Sequence, residues 1–463
     1  IKAYLRAESR FTHLVEIVAF HDSQRVIGRL QFGNAEPFST TLWSMGSFGP
    51  VAGHPAVVAI HQQRLLYART NLEPQALWGS RIANYTNFAL SDLQLATEPL
   101  GSTISLSKQY EIRHMIPLKS LLVLTSGSWH SLAGTDGSLT PTNGEMTLHG
   151  YGGASAVVTP LVVGRSVLMV NADDRRVSEI RYSLAEDGFD RKELDVMAKH
   201  LFRGKTVSSW AQQEDPNNLV ILAMSDGSAL CFTFLREQEV WAWTPWDTDG
   251  KFLEVGSVKS ASGLEDEVYF LTERVLNGQT TYLIETLTER LPGNVLEEGV
   301  FMDCSISYDG AAAATISGLG HLDGEAVAVL ADGVVIEGKT VSGGQITLTD
   351  AASKVHVGLA YTSRIKTLNL ELGESMSSAG RRKAVRKAVL RIANTKGFKI
   401  GPSEDDLTPV LDWRDLDAGE LFTGEIDSPV VGDWNTSGHL VIEQTDPLPM
   451  TIQAITPFVE LSE

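Results

Sequence analysis

The sequence predicts a mainly β protein: a β-propeller-like platform with additional β-sandwich or β-rich domains. Three observations carry this. Helical periodicity is scarce. Short apolar runs recur at Leu65–Ala68, Leu121–Thr125, Val167–Asn171, Leu219–Met224 and Glu267–Thr272, their starts roughly 46 to 56 residues apart. The pattern then changes after about residue 290. Units of this length fit propeller blades, small sheets that hide their faces against neighbours. A string of β-sandwiches would show the same short strands and turns, so periodicity alone leaves both open.

Length and composition bound the rest. A chain of 463 residues exceeds one ordinary core, and 43% hydrophobic with 21% charged residues is normal for a folded protein. Apolar runs such as 154–163 and 118–124 are too short to cross a bilayer as helices. The formal charge of −19 argues against a surface built to grip nucleic acid. Cys231 and Cys304, the only cysteines, read as buried thiols; a disulfide would need their Cα atoms within roughly 7 Å.

Element by element, Val220–Met224 leads through the turn 225–228 into Ala229–Leu235, a hairpin. Val268–Val275 turns at Asn277-Gly278, a strong hairpin signal, and returns through Thr280–Leu287. Val167–Val170 breaks at 171–175 and resumes at Val177–Tyr182, and 154–163 reads as one strand. Leu291-Pro292-Gly293-Asn294 reads as a linker. Beyond it lie Ala326–Ala331, Val334–Glu337, Gln345–Leu348 and Lys354–Leu359, the most sandwich-like stretch. Residues 380–394 suit a helical face (Val385, Ala388, Val389, Ile392) or a strand face (Val385, Lys387, Val389, Arg391, Ala393), and the pattern does not decide. The last segment returns to strands at Leu440–Glu443 and Thr451–Ile455. The expected domains are 1–45, an N-terminal connecting segment; 46–290, propeller-like; 291–370, sandwich-like; and 371–463, a β-rich segment, either separate or rejoining the propeller or platform.

Candidate chemistry is thin. No His pair has HExxH spacing and no CxxC occurs; His54 and His61, seven apart, are the nearest thing to a metal pair, and packing is the simpler reading. Gly150-Tyr151-Gly152-Gly153 lacks the Lys-Ser or Lys-Thr of a phosphate loop. Asp173-Asp174 and the Asp247-Thr248-Asp249-Gly250 turn could hold surface Ca²⁺, but the second lacks EF-hand ligand spacing, and Asp and Gly serve most turns through backbone conformation alone. Dispersed acids could meet as a glycosidase pair, with nothing positive to indicate it. No enzyme activity, cofactor or metal is expected.

Two surfaces stand out. Trp241 and Trp243 lie two apart on one strand face, with Trp246 beyond, and suit core packing, an intersubunit contact or a sugar platform. Arg381, Arg382, Lys383, Arg386, Lys387 and Arg391 form the one basic cluster, which could touch nucleic acid or pair with acids of a neighbouring subunit.

Several motifs in register resemble those of podovirus tail nozzle proteins, the tail tubular protein B family. They are GHPAVVAIHQQRLLYA at 53–68, EPQALWGS at 73–80 (with Trp78), NYTNF at 84–88, and LREQEVWAWT at 235–244 followed by TDG at 248–250. GLGHLDG at 318–324, ADG at 331–333, AASKVHVG at 351–358 and PLPM at 447–450 complete the set, covering roughly residues 40 to 463. The resemblance implies a homo-hexameric virion nozzle in a short, non-contractile tail. It would sit below the portal and adaptor rings, bear tail fibres or spikes, and surround a channel that double-stranded DNA passes without sequence-specific binding. It carries over no catalytic or cofactor residues, makes Trp241 and Trp243 interface candidates, with Trp78 and Trp246 as interface or packing candidates, and implies N-terminal sequence ahead of Ile1. The negative charge would suit a lumen that repels phosphates. The rival expectations are a carbohydrate-binding or carbohydrate-active propeller and a generic scaffold propeller.

Overall fold

Runs of alternating or fully apolar residues, closed by turns that need left-handed backbone, leave this chain little choice but antiparallel sheet. A computed structural model describes all residues except 1–2, 9–11, 23–24, 33–41, 46–47, 50–51, 89–94, 104–108, 186, 372–377, 379, 412–413, 415, 418 and 463. The described residues are nearly all strand, in many small antiparallel sheets, a mainly β, propeller-like fold. The chain divides into two compact units, one of Ile1–Gln212 with Leu235–Trp243 and one of Gln213–Phe234 with Thr244–Glu463, a division that does not follow the 46–290, 291–370 and 371–463 boundaries.

In the first unit, Ala3–Glu8, Thr12–Asp22, Arg25–Phe32 and Leu42–Met45 form a four-stranded sheet where a connecting segment was expected. Three four-stranded meanders follow, spanning 57–103, 112–151 and 161–193, in which each strand pairs with its sequence neighbours. Their central strands Leu121–Thr125 and Ser166–Val170 are buried throughout. The reason is visible in the alternation. Leu121 and Val123 pack with Leu66, Leu77 and Leu100 of the preceding sheet, whereas Leu122 and Leu124 pack with Val167, Met169 and Ile180 of the next. A strand covered on both faces reads as a continuous apolar run, and sheets stacked in this way pack as propeller blades do. The expected strand at 154–163 is reduced to Leu161–Val163. Before it, the Ser155 hydroxyl accepts from the amides of Val157 and Val158 at 3.0 and 2.9 Å, folding a turn in place of extended chain.

The four strands Val207–Gln213, Leu219–Met224, Ala229–Leu235 and Val240–Trp246 are divided between the two units. In the second unit, Leu219–Met224 and Ala229–Leu235 form the expected hairpin, Ile221 opposite Cys231. Lys251–Lys259, Asp266–Leu276 and Gln279–Thr286 form a three-stranded sheet. Its Asn277-Gly278 turn has φ of 49° and 72°, a type I′ geometry that these two residues adopt with little strain.

The segment expected to be sandwich-like is one sheet. Gln345–Leu348 and Lys354–Leu359 are parts of a single 15-residue strand, Gln345–Leu359, paired with the equally long Asp303–Ser317 and with Ala326–Ala331. Register shifts near Asp309 and Ala313 bend the pair, and Ile316, Val329, Val341, Val355 and Val357 gather in one core.

The two-sheet sandwich comes later. Ser363–Lys366, Val441–Gln444, Phe398–Ser403 and Asp406–Leu411 make one sheet, and Phe422–Pro429, Lys383–Thr395 and Ile452–Leu461 the other. Leu390 and Ile392 of one meet Ile400 and Ile442 of the other in a shared core. Residues 383–395 are therefore a strand. Its buried face is Ala388, Leu390 and Ile392, and a register shift between Val385 and Lys387 brings Val385 to the same core.

Candidate functional site

The motifs that carry the resemblance hold the modules together. In the 53–68 motif, Gln62 and Gln63 occupy a tight turn at φ 47° and 59°, closed by the pair His61–Arg64. Gln62 offsets that strain by bonding the next sheet: its amide nitrogen donates to Gly137 O at 2.9 Å, and its oxygen accepts from Leu139 N at 2.7 Å. Arg64 is fully buried and donates to three carbonyls, Ser80 O and Glu98 O at 2.7 Å and Ala96 O at 2.6 Å. One guanidinium thus ties both ends of the 80–98 loop, which contains the NYTNF motif. Burial pushes its pKa down and the Glu98 carboxylate opposes this. Trp78 belongs to an aromatic cluster: Phe48 meets it edge-on at 5.0 Å and also meets Tyr67 and Phe88, which stack on each other at 5.3 Å.

The 235–244 motif docks on the sheet spanning 161–193 and the segment after it. Arg236 pairs with Glu179, a carboxylate only 2% exposed that also accepts from Ser166 Oγ at 2.5 Å. The Trp243 indole donates to Leu194 O at 3.0 Å and meets Phe202 edge-on at 5.0 Å. Trp241 stays 38% exposed, and the Lys192 ammonium lies 3.8 Å from its ring centroid, covering one face of the ring. Trp246 packs against Phe270 at 6.4 Å.

The Asp247–Gly250 turn is held by a side chain of its own unit. Arg274, 1% exposed, donates to Thr248 Oγ1 at 2.8 Å and Asp249 O at 2.7 Å, and makes a two-pronged pair with Glu285 at 2.6 and 2.7 Å. The guanidinium supplies the positive charge that a Ca²⁺ reading would give to a metal. Burial raises the Glu285 carboxyl, and the hydrogen bonds from Arg274 and Thr272 outweigh it, leaving the pKa lowered; Asp303 nearby is raised, chiefly by burial. In the other acidic turn, Asp173 Oδ1 caps Arg175 N at 3.2 Å. Among the described residues no group of three or more His, Cys, Asp or Glu is placed to hold a metal ion.

Gly150-Tyr151-Gly152-Gly153 is glycine-rich for space. A Cβ at Gly150 would stand 2.5 Å from the Trp129 ring, and at Gly153 it would stand 2.0 Å from Ser126 O. His54 is exposed and His61 buried, its pKa lowered by burial. His114, His130 and His149 are each held below the ordinary histidine value, mainly by burial. Cys231 and Cys304 are free and buried, and burial pushes both thiols up to about 11.

The basic cluster is largely engaged within its own chain. Arg386 pairs with Glu460 at 3.0 Å, Lys387 with Asp427 at 2.6 Å and Arg391 with Glu425 at 2.6 Å, all across neighbouring strands. Lys383 is fully buried, donating to Thr436 O at 3.2 Å and lying 3.5 Å from Glu371. Arg381 bonds Ser462 O, and Arg382 is exposed. Arg64, Glu179 and Arg274 escaped the sequence reading because a lone charge in an apolar strand looks like any solvent-facing residue.

The sequence matches no protein family and no curated protein. Among solved structures, one similar chain is a protein from Lactobacillus plantarum, with TM-score 0.30, 7% identity, and coverage of 77% of this chain and 99% of that one. Human WBSCR16 gives TM-score 0.30 and 11% identity over 63% of this chain and 81% of that one. A luciferin-regenerating enzyme gives TM-score 0.23 and 10% identity over 49% and 88%. At these scores the neighbours carry no argument about function, and the fold class rests on the strands and cores described above.

Proposed function

We propose that this chain is a structural subunit of a bacteriophage tail nozzle, assembled as a homo-hexamer around a channel for double-stranded DNA and lying below the adaptor ring of the virion. One observation supports it above the others. The residues of the family-like motifs (Arg64, Trp78, Phe88, Arg236, Trp241, Trp243) tie loops to strands and sheets to one another, as a wall subunit requires. The reading assigns no reaction to the chain. Three of the six residues of its basic cluster (Arg386, Lys387 and Arg391) pair with carboxylates of neighbouring strands, and this and its net charge of −19 fit a protein that DNA passes without adhering. Native mass spectrometry of the purified chain tests this. A six-copy assembly is expected; a protein that stays monomeric at tens of micromolar and binds glycans would replace the reading with the carbohydrate-binding one.

A further inference from the structure

The long strands Asp303–Ser317 and Gln345–Leu359 run antiparallel, with Ser307 opposite His356 and Asp309 opposite Lys354. Alternation divides their side chains between the two faces of the sheet. Tyr308, Val355 and Val357 face the core already described, and Ser307, Asp309, Lys354 and His356 share the other face. There Ser307 Oγ lies 2.6 Å from His356 Nδ1, and His356 Nε2 lies 2.8 Å from Glu297 O. A carbonyl oxygen only accepts, so in the neutral ring Nε2 carries the proton and Nδ1 keeps its lone pair. The Ser307 hydroxyl therefore donates to the imidazole. The ring is 2% exposed and held by its bond to Glu297, whereas Ser307 is exposed to solvent.

Three other serine–histidine contacts lack this combination. His149 Nδ1 accepts from the Phe189 amide at 3.3 Å, so its proton sits on Nε2 and points at Ser131, the reverse polarity. Ser437 Oγ donates to Asn435 Oδ1 at 3.0 Å, which leaves His439 to donate to Ser437. Ser128 and His130 meet at 2.9 Å, but each is 1% exposed and out of reach of a substrate.

We propose that Ser307 is a nucleophile that cleaves carboxylic esters by acyl transfer, with His356 as its general base and the Glu297 carbonyl holding that base in place. As Oγ bonds to the acyl carbon, its proton passes to His356 Nδ1; the ester C–O bond breaks and the alcohol leaves with that proton. Water, deprotonated by the same nitrogen, then releases the acid and restores the serine. The surroundings select the substrate. Lys354 Nζ bonds Glu298 and Asp309, each at 2.7 Å, so two carboxylates and one ammonium stand beside the pair, one negative charge in excess. Neutral or cationic esters are favoured over anionic ones. The activity goes beyond the nozzle reading and does not depend on the number of copies.

The test treats the full-length chain with a fluorophosphonate, which phosphonylates activated serines, and separately with p-nitrophenyl acetate. A single adduct on Ser307, located by peptide mass spectrometry, and steady release of p-nitrophenol are expected. Both should vanish in Ser307→Ala, a change at an exposed hydroxyl that leaves the far-UV spectrum as it was. His356→Gln should slow both by about 100-fold or more. The anionic p-nitrophenyl succinate should react about tenfold more slowly than the acetate. No adduct, adducts on other serines only, or hydrolysis that survives Ser307→Ala would overturn the proposal. Labelling of Ser307 at an unchanged rate in a folded His356→Gln chain would overturn the part given to the imidazole, and equal rates for the two esters would overturn the substrate class.

Discussion

Replacing Arg64 by methionine tests how the chain anchors its longest motif-bearing loop. The guanidinium makes three hydrogen bonds to carbonyls at 2.6–2.7 Å from a fully buried position. Bonds to a charged group contribute about 1.5–3 kcal/mol each, a ceiling of roughly 5–9 kcal/mol. The cost of burying the charge offsets part of that, and Arg64 Nε has no partner, so the net loss should be about 3–5 kcal/mol. Lysine should fail nearly as badly, since one ammonium cannot reproduce the fork that reaches Ser80, Ala96 and Glu98. Urea unfolding gives the stability, and hydrogen exchange locates the damage. The Ala83 amide, bonded to Gln63 O at 2.9 Å, and the Arg81 amide, bonded to Asn87 O at 2.8 Å, should lose protection before the central strand Leu121–Thr125 does. A loss below about 1 kcal/mol with unchanged protection at 81–88 would refute the anchoring role.

Three further outcomes follow from the same structure. His114, His130 and His149 have folded pKa values below the ordinary 6.5, so protons bind more readily to the unfolded chain; stability should be level above about pH 6.5 and fall as pH drops below it, and urea midpoints unchanged between pH 7.5 and 5 would contradict this. With both thiols pushed up to about 11 and buried, Cys231 and Cys304 should react with Ellman's reagent at pH 8 only as fast as the protein unfolds, and immediate labelling of either would be wrong for this fold. Arg236→Met strands the buried Glu179 carboxylate and should cost about 2–4 kcal/mol; adding Glu179→Gln should recover part of the loss, and strict additivity in that cycle would show that the two groups do not interact.

The sequence made some of this fold legible and hid other parts for physical reasons. Asn277-Gly278 announced its hairpin because both residues tolerate positive φ. The Gln62-Gln63 turn has the same backbone sign without that chemistry, and the bonds from Gln62 to Gly137 and Leu139 that support it are 75 and 77 residues away. The blades could be read from Leu121–Thr125 and Val167–Asn171, since a strand covered on both faces is apolar throughout. Residues 383–395 stayed ambiguous because a register shift at Arg386 breaks the two-residue period and leaves a spacing that mimics a helical face. The 15-residue strand Gln345–Leu359 was divided in two because polar residues at Thr349, Asp350 and Ser353 resemble a turn, whereas in the bent sheet they lie on its exposed side. The tryptophan stripe was legible as a stripe, its role left open between core packing, an intersubunit contact and a sugar platform. Its partners Lys192, Leu194 and Phe202, some 40 to 50 residues earlier, were not.

The central claim is that these modules build the wall of a ring, and cryo-electron microscopy of the purified full-length chain tests it most directly. Class averages with six-fold symmetry and an open axial channel wide enough for duplex DNA are the predicted result. Isolated single copies, or a two-fold dimer with no channel, would contradict it.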